Sequence, residues 1–430
     1  MDWTRTPDFD LGVFSQFSLF DAYGQDAASM LTANFTFLCL LVVAGFLSAI
    51  QLVGEPIECW CPAETSDAMC NYTKSFCWVS KQYVIDYDDP IPMDSQMRYD
   101  SSKRELAFYP LVPFILLSLA CVLKIPNFLW NAFMDTEGLN IPKAVKLGLN
   151  PEQNGNQAEM AVAFEISFPL DKGKQLHRGR MRRFVTSRLE SVQKLVAALG
   201  CFPLGSGLGA YQTGLFMFTR LLALGLCVAA FPGVGYALGT NFSLWGWELG
   251  RWLVTDTTEF WDTYVFPRET LCDFKVRQMS NVQDFTVQCV LPINMWSEKV
   301  FLALWFWLVL LVLANAYSYQ YWFRKLIFSS NRRHLASKHL RIINAEQGTK
   351  PRKEVTTFAL NYLNHDSILV LKMLEVCVGD QFANGVVKRL WTEFKKLSNK
   401  YDKPPARNLS MPVEEMEKSL DSLNSAAALH

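Results

Sequence analysis

Residues 300–323 read VFLALWFWLVLLVLANAYSYQYWF, a run with no Asp, Glu, Lys or Arg. About 20 apolar residues cross the hydrocarbon core of a bilayer as a helix, so this run predicts a transmembrane span. Three other segments share its character. Residues 27–54 contain FLCLLVVAGFLSAIQLV. Residues 106–123, LAFYPLVPFILLSLACVL, pass Lys124 and continue as IPNFLWNAFM. The stretch from about 215 to 240 passes Arg220 and runs LLALGLCVAAFPGVGYAL. The spans are expected at 33–53, 109–130, 215–239 and 300–321, and no intervening segment is long and apolar enough to add a fifth. Lys124 and Arg220 lie near the ends of their spans and read as snorkelling residues rather than buried functional charges. Pro126 is expected to kink or end the second span, for gating or as a plain structural bend.

Composition agrees with a few spans separated by large aqueous segments: 430 residues are 50% hydrophobic and 19% charged, with a mean hydropathy of +0.09. Lys+Arg and Asp+Glu number 41 each, which excludes a basic nucleic-acid binder or an acidic tail protein on global charge. The charge is unevenly spread. Segment 131–214 holds 10 basic and 7 acidic residues and 322–430 holds 18 and 11, whereas 54–108 and 240–299 each hold 5 basic residues against 10 and 8 acidic. Basic residues favour the cytoplasmic side, so both termini and the middle loop are expected inside and the two acidic loops outside. Residues 1–32 contain one basic residue, Arg5, and no apolar core before residue 27. The first span is therefore expected to act as an uncleaved anchor rather than a removed signal peptide.

Of 11 cysteines, Cys59, Cys61, Cys70 and Cys77 fall in the first outer loop and Cys272 and Cys289 in the second. That enrichment on an oxidising side predicts a disulfide framework. A zinc site from the first four is the competing reading, weakened by the absence of a nearby His and of a C-x2-C knuckle. Phe285, Val287, Cys289 and Leu291 alternate with polar or small residues and predict a short strand with one buried face. Pro62 followed by AETSDAMCNYTKSFCW predicts a helix start. The five His, at 177, 334, 339, 365 and 430, lack metal-ligand spacing. GSGLGA at 205–210 has neither the preceding strand nor the following Lys-Ser or Lys-Thr of a phosphate loop and reads as a linker. An enzyme is disfavoured, and no cofactor is expected.

Several segments carry a resemblance to the innexins, invertebrate gap-junction and hemichannel proteins related to the pannexins. They are GEPIECWCPAE at 54–64, FCWV at 76–79 and YPLVPFILLSLACVLKIPNFLW at 109–130. Further matches are GAYQTGLFMFTR at 209–220, FPRETLCDFKVRQMSNVQDFTVQCVLPINMWSEKVFLALWFW at 266–307 and YLNHDSILVLKMLEVCVGD at 362–380. Tyr109-Pro110-Leu111-Val112-Pro113 departs from the usual Tyr-Tyr-Gln-Trp-Val-Pro signature. The resemblance implies an all-α membrane protein with four transmembrane helices per subunit, disulfide-linked outer loops with a short β element, and a helical cytoplasmic dome. It also implies an octamer-like ring, homo- or hetero-oligomeric, around a central pore that docks with an opposing hemichannel on a neighbouring cell. By the same resemblance Cys59 pairs with Cys289 and Cys77 with Cys272; Cys61 and Cys70 are extra and either bridge locally or stay free.

The expected function is a plasma-membrane gap-junction subunit passing ions and small molecules. An undocked hemichannel and a four-span receptor or adhesion protein without a pore are the alternatives. Residues 1–32, acidic and amphipathic, are implied by the resemblance to fold into the pore entrance, where rings of Asp2, Asp8 or Asp10 beside Trp3 would attract cations; a frayed solvated terminus is the plain alternative. Asn71 and Asn241 head glycosylation sequons on the outer loops, and a glycan on Asn71 would favour the undocked form. The basic stretch KGKQLHRGRMRRFVTSRLESVQKLVAAL, in the 131–214 loop, is implied by the same resemblance to be a dome helix packing on the 322–400 tail; a contact for membrane lipids is the alternative. Residues 401–430 are expected to be polar and mobile.

Overall fold

The computed structural model describes residues 26–85, 92, 104–106, 109–134, 141–149, 159, 161–163, 166, 210–255, 266–345 and 352–402. Asp2, Trp3, Asp8 and Asp10, the basic stretch of the middle loop, GSGLG at 205–209 and the tail beyond Asp402 lie outside the described residues. Among those described, four helices are long and apolar enough to cross a membrane: α1 (Ala27–Val53), α3 (Val112–Phe133, entered through a 3-10 turn at Tyr109–Leu111), α5 (Tyr211–Leu238) and α7 (Pro292–Ile327). Three of them, α3, α5 and α7, overrun their charge-free cores, whereas α1 stays within residues 27–54. With 36 residues, α7 is about 54 Å long at 1.5 Å per residue, well beyond a hydrocarbon core of about 30 Å.

The loops between α1 and α3 and between α5 and α7 form one cap. The first contributes β1 (Glu58–Cys59), α2 (Asp67–Val79), β2 (Gln82–Val84) and β3 (Arg104–Leu106). The second contributes α6 (Phe242–Thr255), β4 (Glu269–Gln278) and β5 (Asn281–Val290). The strands make a five-stranded antiparallel sheet in the order β1-β5-β4-β2-β3. The hairpin from the second loop is thus inserted between strands of the first, and neither loop could keep this sheet alone. Ser66 starts α2 by accepting from the Met69 amide at 3.4 Å. The helix begins there rather than at Pro62, whose carbonyl instead closes a turn with the Thr65 amide. The β5 strand is longer and more open than its alternation predicts: Phe285 is exposed, and among its residues Cys289 is the one that is buried. The hydrophobic partner of Phe285 is Phe274 on β4, stacked at 5.4 Å.

At the opposite end, α4 (Ile141–Leu149), α8 (Ser329–Ala345), α9 (Arg352–Thr357), α10 (His365–Cys377) and α11 (Asp380–Asp402) form a helical domain. Its apolar core includes Leu340, Phe358, Leu369 and Leu390 and continues into the span ends through Trp130, Phe216 and Trp322. The other core fills the spans and runs into the cap, from Leu47, Leu116 and Phe301 to the buried cysteines. One core thus ties the cap to all four spans, and the other ties the helical domain to α3, α5 and α7.

Candidate functional site

Three disulfides cross-link the cap: Cys59 to Cys289, Cys77 to Cys272, and Cys61 to Cys70. The first joins residues directly paired between β1 and β5. The second fastens the end of α2 to β4. Both join one loop to the other, whereas the third closes nine positions within the first loop. In the chain-entropy account such a short loop gives about 2.5 kcal/mol, and bridges spanning about 200 residues give at most about 5. All four first-loop cysteines are committed to these bonds, so the zinc arrangement is not what they form. The sulfurs of Cys59, Cys77 and Cys289 lie within 4.8 Å of one another, which places the two inter-loop bridges side by side.

Side-chain bonds lock the same joint. Gln82 donates to the Cys77 carbonyl at 2.6 Å and accepts from Thr270 at 2.7 Å, and the buried Tyr83 hydroxyl donates to Asp273 at 3.0 Å. The hairpin beyond this joint is exposed along most of β5. Its turn places Met279 at φ 51°, a conformation unusual for a side-chain-bearing residue, with that side chain fully exposed. Asn71 is exposed on α2, but the Thr73 of its sequon is buried and bonds the Met69 carbonyl at 2.8 Å. Asn241 is exposed just before α6, whose first amides, on Leu244 and Trp245, donate to its carbonyl.

A second polar constellation lies between the spans near the helical-domain end. Asp26 caps α1 and forms a 2.6 Å ion pair with Arg220 of α5, both nearly buried, and also accepts from Ser318 of α7. The Arg220 guanidinium lies 4.6 Å from the centre of the Phe216 ring. Arg220 is therefore not a snorkelling end residue, because α5 starts early, at Tyr211, and Asp26 meets it inside the bundle. Lys124 is likewise buried, with Nζ donating to Asn34 at 3.4 Å and lying 4.9 Å from the Phe37 ring. It is not terminal because α3 runs through Pro126 to Phe133.

A π-helical segment at Met30–Phe35 widens α1 beside this pair. The Thr36 hydroxyl donates to Leu31 at 2.8 Å. Trp307 donates to Thr36 at 2.9 Å and Asn315 to Thr32 at 2.8 Å, both from α7. Such segments recur at functional positions, and here one directs two hydroxyls of α1 at one face of α7. The root of the N-terminal segment is thus fixed to α5 and α7 at once. Sequence reasoning passed over Asp26, Ser318, Thr32, Thr36 and Asn315. The available signal was Asp26 itself, a lone carboxylate one residue before a charge-free run, where an N-cap belongs.

The span ends are clamped to the helical domain. Tyr211 and Gln212 of α5 donate to the carbonyls of Phe133 and Met134 at 3.3 and 3.1 Å, taking up acceptors at the end of α3. The Asp366 carboxylate of α10 accepts from the Thr213 amide at 2.7 Å and caps α5 from another element. Farther out, Lys338 of α8 donates to Glu375 of α10 at 2.7 Å and Lys372 donates to it at 2.8 Å. Burial opposes the charge on Glu375, but the two lysine hydrogen bonds outweigh it and hold its carboxyl down at about 2. The Glu375 bond, with help from Asp380, raises Lys338.

A four-span membrane protein with a disulfide-tied sheet cap at one end and a helical domain at the other is the class these features define. The innexin family profile matches residues 25–394. Innexin-11 of Caenorhabditis elegans is 30% identical over 366 residues, covering 83% of this chain and 76% of that protein. Innexin unc-9 of the same organism is 28% identical, covering 86% and 92%, and Innexin-17 is 27% identical, covering 91% and 99%. The chain belongs to the innexin family.

Proposed function

We propose that this chain is a subunit of an innexin-type gap-junction channel that passes ions and small molecules between adjacent cells. Four helices are too few to enclose a wide aqueous path in one subunit, so the pore would form around the axis of a ring, octamer-like, of homo- or hetero-oligomeric subunits. The observation that carries the reading is the cap: two loops interleaved in one sheet and joined by two inter-loop disulfides. Such a unit is pre-organised, which lowers the ordering cost of meeting an opposing hemichannel. The β4–β5 hairpin, tipped by the exposed Met279, is the element we assign to that contact. The charge asymmetry supports a cap outside and both termini inside, in a plasma-membrane protein on this reading.

In this reading the N-terminal segment, expected at 1–32, would serve the pore entrance, where rings of Asp2, Asp8 or Asp10 beside Trp3 would attract cations. The fixed root at Asp26 supports it, because a segment that starts from a clamped residue has a defined origin. An undocked hemichannel is the second reading, favoured by the exposure of Asn71 on the cap, where a glycan would stand in the way of docking. The burial of Thr73 in the folded cap weighs against it. A four-span receptor or adhesion protein would share the topology without a pore.

Transfer of a small anionic dye between paired expressing cells, alongside a glycosidase mobility assay, separates the three. Transfer without a mobility shift is the expected result. Uptake from the medium without transfer supports the hemichannel, and neither transfer nor uptake, with the protein at the surface, overturns the channel reading.

A further inference from the structure

The last turn of α7 meets α8 and α10 around a cavity of about 230 Å³. Its polar lining is Lys325, Asn331, His334, Lys338, Lys372 and Glu375, on an apolar floor. Its lining carries three ammonium groups and one carboxylate, and Asp380 beside it also accepts from Lys338 at 3.2 Å, so three cations meet two anions and the balance stays cationic. Glu375 occupies Lys338 and Lys372 from one side. Lys325 meets no carboxylate among the described residues; its ammonium lies over the Tyr321 ring, 5.9 Å from the centre.

The position of this cavity matters as much as its charge. Tyr317, Tyr319, Tyr321 and Trp322 precede it on α7. Aromatic residues of this kind collect where a span leaves the hydrocarbon for the headgroups, so the cavity opens at headgroup depth. Its volume is below that of a typical drug-sized pocket and suits a headgroup fragment. Basic pockets among span ends are sites for phosphorylated headgroups, because a phosphate monoester offers several acceptors to converging ammonium donors.

We propose that this cavity binds a phosphate monoester carried by an anionic lipid headgroup, seated among Lys325, Lys338 and Lys372. Bound there, it joins the end of α7 to α8 and α10, adding a ligand-dependent tie between the span and the helical domain. The inference does not depend on pore formation, and in a nanodisc both faces carry the same lipid, so it does not depend on orientation either.

The full chain is purified into phosphatidylcholine nanodiscs and binding is read by native mass spectrometry with phosphatidylinositol bisphosphate, or with phosphatidylserine at matched charge. Soluble inositol trisphosphate and inorganic phosphate serve as competitors. The bisphosphate lipid is expected to bind about tenfold more tightly than phosphatidylserine, and Lys325→Gln, at an exposed position, to lose about fivefold. In the wild-type chain, bound lipid is expected to protect Lys325 and Lys338 from amine acylation. Soluble inositol trisphosphate binding more tightly than the lipid would reassign the site to a free organic phosphate and overturn the lipid source. Equal binding of the two lipids, or no protection of Lys325 in the wild-type chain, overturns the site itself.

Discussion

Asp26 and Arg220 show what a single pair contributes when it is withdrawn from water. Taking one partner from a buried ion pair strands the other charge and costs about 3–5 kcal/mol, whereas replacing both with apolar groups of similar size is often near neutral. Asp26→Asn is therefore expected to lower the apparent melting temperature in detergent, and Arg220→Met to do so similarly. The double variant is expected to recover at least half of either loss, read by fluorescence-detected size exclusion after heating; additive losses would remove the pairing argument. Gly246 of α6 illustrates close approach instead. A Cβ at this position would lie 2.0 Å from the Trp305 ring of α7, so Gly246→Ala is expected to cost about 1–3 kcal/mol by overpacking, measured in the same assay. Neither residue announced its role in sequence. Arg220 looked like the end of a span because its counter-charge precedes another helix far along the chain, and Gly246 is one of 23 glycines until Trp305 is placed against it.

Elements were legible to the degree that one period dominates them. The four spans were readable because each carries a long run without charge, and their ends were not, since helix caps and inter-helix bonds such as Tyr211 to Phe133 set them. The β4 strand was missed although Cys272, Phe274 and Val276 alternate with Asp273 and Lys275, and α6 was missed because its Trp and Gly residues obscure a helical pattern. Among the helical-domain elements, α8 and α10 are joined by Glu375 in a pH-dependent way. Its folded value of about 2 lies below the ordinary 4.5, so its contribution is fully present above about pH 4.5 and is lost as the pH falls toward 2. Lys338, raised above 10.5, contributes below that value and loses its contribution as the pH rises through its folded one. After screening at the partly exposed Lys338, the loss on acidification is about 1–2 kcal/mol. Glu375→Gln is expected to flatten the stability profile between pH 4.5 and 2.5 while leaving the cap disulfides intact by mass mapping. An unchanged acid limb would show that other carboxylates control it.

At the scale of the whole molecule, the chain is two clamps at the ends of one four-helix membrane unit. The cap clamp is covalent and interleaved: β1 and β2 flank a hairpin from the other loop, and two disulfides close the joint. The clamp at the other end is made of hydrogen bonds, with Asp366 holding the start of α5 and α5 holding the end of α3. A rigid cap suits a surface that meets another copy, and a hydrogen-bonded end suits one that adjusts. On this account Cys77→Ser, which opens the bridge between α2 and β4, should reduce docking more than Cys61→Ser, whose bridge stays within one loop. The most direct test of the central claim is dual voltage clamp of paired cells with surface expression verified. The account predicts junctional current when both cells express the chain, none when only one does, and loss of that current in Cys77→Ser. Surface-expressed protein that carries no current in pairs or in single cells would contradict it.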